Sequence, residues 1–300
     1  MNDLLNQEVL YAWSTPFFAA IILIEIAVSF YLKRKNYDLK DTATNVYFAL
    51  LNIGLDMIMK VFSFMVLGFF FTHSFVTWEN QDWIYWVVVF VLQDFLYYIH
   101  HYVDHISRFF WAVHVTHHNS TYYNLTTGFR SPVFQPMYRY VFFIPMALLG
   151  MSPIHIMFAY ALNQIYGVLC HTNFIKHDLG LWGKIFVTPS HHRVHHAANV
   201  KYLDKNMGMV LIIWDKIFGT FQAEETTEKY EKIHFGLTKD LEDKGPVNVI
   251  FHEWIAIFKE FRSNSHLSLK TRLKYVFFRP GWSHDGSSKT SKQLQEELKS

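Results

Sequence analysis

The chain has 300 residues, 51% of them hydrophobic, 18% aromatic and only 17% charged. Soluble domains average about a quarter charged residues, so disorder and collagen are excluded and an unusually apolar fold is expected. The formal charge of +2 lacks the basic excess of a nucleic-acid binder, and one cysteine, Cys170, is too few for a disulfide framework, a zinc ribbon or a Cys-ligated iron–sulfur cluster.

In chain order, residues 17–32 form an apolar run whose one charge is Glu25, extended upstream by Val-Leu-Tyr-Ala-Trp and closed by Lys33-Arg34-Lys35. The charges follow the run instead of preceding it and no small-residue cleavage site is present, so the run reads as a retained membrane helix. Residues 46–71 form a second run, with Asp56 and Lys60 four apart on one face as an expected ion pair, and residues 84–99 a third, with Asp94 inside it. Residues 140–175 contain no Asp, Glu, Lys or Arg, and Gly150-Met151-Ser152-Pro153 breaks that stretch into a helical hairpin, spanning or re-entrant. Residues 33–44 hold four Lys or Arg whereas residues 1–16 and 73–83 hold none. By the positive-inside rule the former face the cytoplasm.

The expected fold is therefore an all-α integral membrane protein with about four transmembrane helices, the last pair a hairpin, in a bacterial inner membrane or the endoplasmic reticulum. Residues 1–175 form the membrane domain with the first two histidine boxes. Residues 176–285, mixed and charged, form a cytoplasmic helical cap with the third, and residues 286–300 a polar, disordered tail.

Ten of the 18 histidines fall within residues 100–118 and 191–196. They build three patterns: His101-Tyr-Val-Asp-His105, His114-Val-Thr-His117-His118 and His192-Arg-Val-His195-His196. Positions three and four apart share a helix face, so each box can aim imidazoles at a common centre. Eight converging nitrogens exceed what one ion takes up and point to a di-metal site, although imidazole suits iron, zinc, copper and nickel alike. His171, closing the uncharged hairpin at the same depth, is a candidate ninth ligand. His100, His177 and His191 are read as supporting residues, and His73, His155, His234, His252, His266 and His284 as core or interfacial ones. Asp94 precedes His101 by seven residues, too far along the helix to reach it, but it can orient a histidine from another segment or pair with Tyr98 or a neighbouring span. His252-Glu253 lacks the second histidine of a zinc protease, and no phosphate-binding glycine loop occurs.

The order of the three boxes resembles the fatty acid hydroxylase and sterol desaturase superfamily of integral-membrane di-metal oxygenases. Thr15-Pro-Phe-Phe, Tyr123-Asn-Leu-Thr-Thr, Arg130-Ser131, Pro189-Ser-His-His-Arg-Val-His-His, Leu211-Ile-Ile-Trp-Asp-Lys-Ile-Phe-Gly-Thr-Phe and Pro280-Gly-Trp282 resemble its alkylglycerol monooxygenase branch. The resemblance implies two iron ions, O2, a membrane lipid substrate and an external electron donor, either a tetrahydropterin or a ferredoxin or cytochrome. Nucleic acid is not an expected partner. The candidate catalytic residues are Asp94, Asn124 and Arg130, the last meeting a headgroup phosphate or serving as a plain interfacial arginine. The rivals are a sterol, fatty acyl or aminolipid hydroxylase or desaturase on the same site, a membrane zinc hydrolase, and a metal transporter or sensor.

Overall fold

A computed structural model describes residues 7–300, which are helical with two isolated β-bridges and no strand among the described residues. Three helices are long and apolar enough to cross a membrane, within α1 (Gln7–Tyr31), α2 (Leu39–Thr72) and α3 (Trp83–Ile106). Leu23, Ile24, Phe30, Met57, Ile58, Val61, Met65 and Val87 stand exposed on them, as expected of faces solvated by lipid. Asp38 and Asp82 accept from first-turn N–H groups and start α2 and α3, satisfying donors that no preceding turn can.

Two buried polar groups bind the first two spans to the rest. Glu25, the one charge of the first apolar run, accepts from the Leu125 N–H at 2.9 Å and from the hydroxyls of Tyr37 and Thr172. Asn52 of α2 donates to the Pro132 carbonyl at 2.7 Å. Asp56 of α2 also pairs over a long range, with the Arg139 guanidinium reaching it across the helix interface. A sequence shows only same-helix partners, so this pairing was out of its reach.

At Ser107 the backbone turns extended and α4 (Arg108–His118) doubles back, bringing box two against box one. Three short 3-10 turns between residues 127 and 143 lead into α5 (Ile144–Leu148) and α6 (Pro153–Leu169). The break falls where Gly and Pro signal it. Gly150 sits at φ +80°, where a Cβ would meet the Val76 carbonyl oxygen at 2.2 Å, and Ser152 caps α6 with Pro153 in its first turn. The α5–α6 layer packs on α3 through Tyr85, Val89, Tyr97, Phe143, Ile156 and Tyr160.

Beyond the hairpin, α7 (Leu181–Ile185) precedes α8 (Pro189–His195), which Thr188 opens with a reciprocal capping box to His191. Helix α9 (Ile213–Phe218) is followed by α10 (Pro246–Ser263) and α11 (Leu269–Phe277), which cover α4; Arg108 anchors α10 through Glu253 and Glu260 and α11 through the Tyr275 carbonyl. Residues 286–300 are not the frayed tail expected from their polarity. Helix α12 (Ser291–Glu297) has a capping box at Thr290, and its Gln295 donates to the Leu203 carbonyl at 2.7 Å, giving polar side chains docked partners in place of solvent.

Candidate metal centre

Nine histidines meet in two neighbouring buried groups. His101, His105, His114, His118 and His195 form one, and His117, His171, His192 and His196 the other, with the potential ligand atoms of each group all within 4.8 Å of one another. The groups touch, the rings of His118 and His196 stacking at 4.5 Å. All eight boxed residues and His171 are thus brought together, each box contributing through the end of α3, the last turns of α4 or α8.

Hydrogen bonds aim the rings. Nδ1 of His101 faces the Met207 carbonyl at 2.8 Å, that of His195 the Lys205 carbonyl at 2.9 Å, that of His117 the Arg130 carbonyl at 2.9 Å and that of His171 the Gly167 carbonyl at 2.8 Å. A carbonyl only accepts, so these four Nδ1 atoms carry the proton and each Nε2 is left with a lone pair. The Nε2 atoms point at one another: His101 to His114 at 3.0 Å, His114 to His118 at 3.2 Å, His171 to His192 at 3.0 Å and to His196 at 3.1 Å. Metal–nitrogen bonds of about 2.1 Å set at right angles put two ligand nitrogens about 3.0 Å apart, so these spacings fit a shared ion. Nε2 of His105 and of His195 are buried with no protein partner, a second sign that the donor set suits a metal.

Burial, reinforced by neighbouring imidazoles, holds His114, His118, His192, His195 and His196 well below the ordinary histidine pKa, and burial does the same to His171. Burial brings His117 down to about 4. These seven rings are therefore neutral at pH 7, the form that binds metals.

The three residues given catalytic roles lie elsewhere. Asp94 accepts from the Val210 and Leu211 N–H groups, each at 3.0 Å, and from the Trp214 indole at 2.9 Å, so it ties α3 to the cap and orients no imidazole. Asn124 is a turn-former: its Oδ1 accepts from the Thr126 N–H at 2.9 Å and its Nδ2 donates to the Asn36 carbonyl at 2.7 Å. Arg130 is buried, not interfacial. It donates to the Thr116 carbonyl and the Asn45 amide oxygen, both at 2.8 Å, and pairs with Asp41, which leaves its guanidinium no headgroup to meet. Its contribution to the site is the backbone oxygen under His117.

Among the supporting histidines, His100 lies 3.4 Å from Asp104, His191 caps α8, and His177 is exposed outside both groups. His155 meets the Tyr85 hydroxyl at 2.7 Å, as a core histidine should. The carboxylates that do stand beside the rings are Asp104, 3.6 Å from His114 Nδ1, and Asp204, 3.3 Å from His105 Nδ1. Asp104 lies inside box one, next to His105, a signal available in the sequence; Asp204 has none.

A fatty acid hydroxylase family model matches residues 86–220, a stretch holding all nine clustered histidines. Residues 86–220 are thus similar to a fatty acid hydroxylase domain. The chain is 35% identical over 297 residues to the human alkylglycerol monooxygenase, covering 95% of this chain and 62% of that protein. It is 33% identical over 281 residues to the Danio rerio alkylglycerol monooxygenase, covering 90% and 59%. The ornithine lipid hydroxylase OlsE of Rhizobium tropici is 30% identical over 133 residues, 44% of this chain and 40% of its own length. The chain thus spans about three fifths of the vertebrate proteins it matches. No solved structure matches it significantly. The matched stretch begins inside α3 and ends after α9, so α1 and α2 lie outside it.

Proposed function

We propose that the chain is a membrane-bound di-iron monooxygenase that oxidises a lipid C–H bond with O2, and that its substrates are alkylglycerol ethers. The nine-imidazole pair of groups inside a fatty acid hydroxylase domain carries this reading, supported by likeness to alkylglycerol monooxygenases over most of the chain. The five-imidazole group exceeds zinc's usual four ligands. In this reading iron supplies O2 activation when bound, chemistry that zinc cannot perform.

The residues of the chain do the rest. Hydrogen bonds to Nδ1 fix ring orientation and tautomer, and the burial of both groups keeps water from the reacting carbon. Oxygenation of the carbon beside the ether oxygen consumes O2, two electrons and two protons and yields one water and a hemiacetal. The hemiacetal then breaks its C–O bond without a further catalytic group, giving a fatty aldehyde and a free glycerol hydroxyl. The electrons come from outside the site, from a tetrahydropterin or a ferredoxin or cytochrome. Iron-loaded protein supplied with O2, an alkylglycerol and either donor is expected to release aldehyde. Oxygen or a double bond entering an acyl lipid instead, with no aldehyde from either donor, would favour the hydroxylase or desaturase alternative, to which the similarity with OlsE lends support.

The proposed topology has the three long spans α1, α2 and α3 followed by the α5–α6 hairpin, with residues 33–44 and the histidine groups on the cytoplasmic face and residues 176–285 as the cap. The charge asymmetry of the loops supports it. In a Cys170→Ser background, Thr77→Cys is expected to react with an impermeant thiol reagent only from the outer side and Lys35→Cys only from the cytoplasmic side. The opposite pattern would invert the placement of the catalytic face.

A further inference from the structure

Three of the five imidazoles in the first group rest on four consecutive residues. Asp204 Oδ1 lies 3.3 Å from His105 Nδ1, the Lys205 carbonyl 2.9 Å from His195 Nδ1 and the Met207 carbonyl 2.8 Å from His101 Nδ1. The orienting carbonyls of the second group, those of Arg130 and Gly167, belong to other segments.

This strap is bent and clamped. Asp204 and Asn206 hold φ of +52° and +54°, left-handed values that Asp and Asn reach more readily than other non-glycine residues. Asn206 donates to the His191 carbonyl at 3.0 Å and the Gln222 carbonyl at 2.8 Å, and Asp215 accepts the Met207 and Gly208 N–H groups at 2.7 and 2.8 Å. The free oxygen of Asp204 takes the hydroxyl of Ser291, the first residue of α12.

We propose that Asp204 and the strap 204–207 are the positioning element of one metal position only, and that α12 holds that element in place through Ser291. The proposal rests on the di-metal reading above. It makes the two positions unequal: one depends on the strap and the C-terminal helix, the other on the Arg130 carbonyl and on α6. Loss of the strap acceptor then weakens one ion and spares its neighbour.

Glycine at 204 tolerates the left-handed backbone yet removes the carboxylate, while asparagine tolerates it and keeps an oxygen for His105. Fe(II) is titrated anaerobically into metal-free wild-type, Asp204→Gly, Asp204→Asn and Ser291→Ala proteins, with bound iron counted and resolved by Mössbauer spectroscopy of 57Fe. Wild type is expected to bind about two ions. Asp204→Gly should bind one as before and the other roughly 10- to 100-fold more weakly, Asp204→Asn should restore the second signal, and Ser291→Ala should weaken the same signal to a smaller extent. Wild type without iron would refute the di-metal reading itself. Given two ions in wild type, Asp204→Gly retaining both, or losing both while its metal-free form melts with wild type, would overturn the proposal. Should Asp204→Gly not fold, Ser291→Ala decides, and unchanged binding there overturns it equally.

Discussion

His118→Ala and His196→Ala are each expected to cost bound metal and to reduce lipid oxidation by at least about 100-fold. Each ring is a member of a different group, and the two stack at the seam between them, so either truncation opens the centre where the groups meet. His118 Nε2 lies 3.2 Å from His114 Nε2, and His196 Nε2 3.1 Å from His171 Nε2, spacings that removal of a partner leaves without a shared ion. Protein purified without oxygen should contain about two irons per chain and each variant no more than about one. Full iron and full activity in both variants would refute the ligand assignment. Zinc in the preparation would not, because zinc outcompetes Fe(II) for the same nitrogens.

Asp94→Leu is expected to be the most destabilising single change away from the histidines. The carboxylate is wholly buried and takes the Val210 and Leu211 N–H groups and the Trp214 indole N–H. A leucine fills similar space but strands these donors at roughly 1–3 kcal/mol each, so a loss of about 4 kcal/mol is expected. Asp94→Asn keeps one accepting oxygen but turns an NH2 group towards a donor, and it should fall between the two. Thermal unfolding in detergent measures the series. The folded fraction of the leucine variant should still take up metal, since Asp94 touches none of the nine rings. Wild-type stability in Asp94→Leu would show that the cap does not depend on this anchor.

The boxes were legible because helix periodicity needs no tertiary knowledge. Partition between the groups was less so. The i,i+4 pairs 101/105, 114/118 and 192/196 each stay together, whereas His117 and His195 cross to the opposite group. A step of four residues turns a helix by about 40° past one revolution and a step of three falls about 60° short, so the odd member faces a different centre. His171 was legible by depth alone. The partners of Asp94, Asn124 and Arg130 were not legible for one shared reason: residues 210–214, Asn36 and Asp41 are remote in sequence, and a polar residue without a visible partner reads as available for chemistry. The apolar helices were readable to within several residues, with α3 running past residue 99 to carry box one. The C-terminal helix was not, because its docking depends on the Leu203 carbonyl and on Asp204.

Chain order also sets the sequence in which the two groups can be completed during synthesis. Four of the five imidazoles of the first group lie between residues 101 and 118, on α3 and the adjoining α4, whereas three of the four in the second lie between 171 and 196. A nascent chain that has emerged only through α4 already displays four histidines of one group and one of the other. In the di-metal reading, the first position is therefore the one that gathers most of its rings while the ribosome is still working, before residues 204–207 exist to trim its geometry. The second position has a single ring until the hairpin and α8 follow. Protection against the wrong metal is thus needed earliest for the group that acquires its orienting residues last.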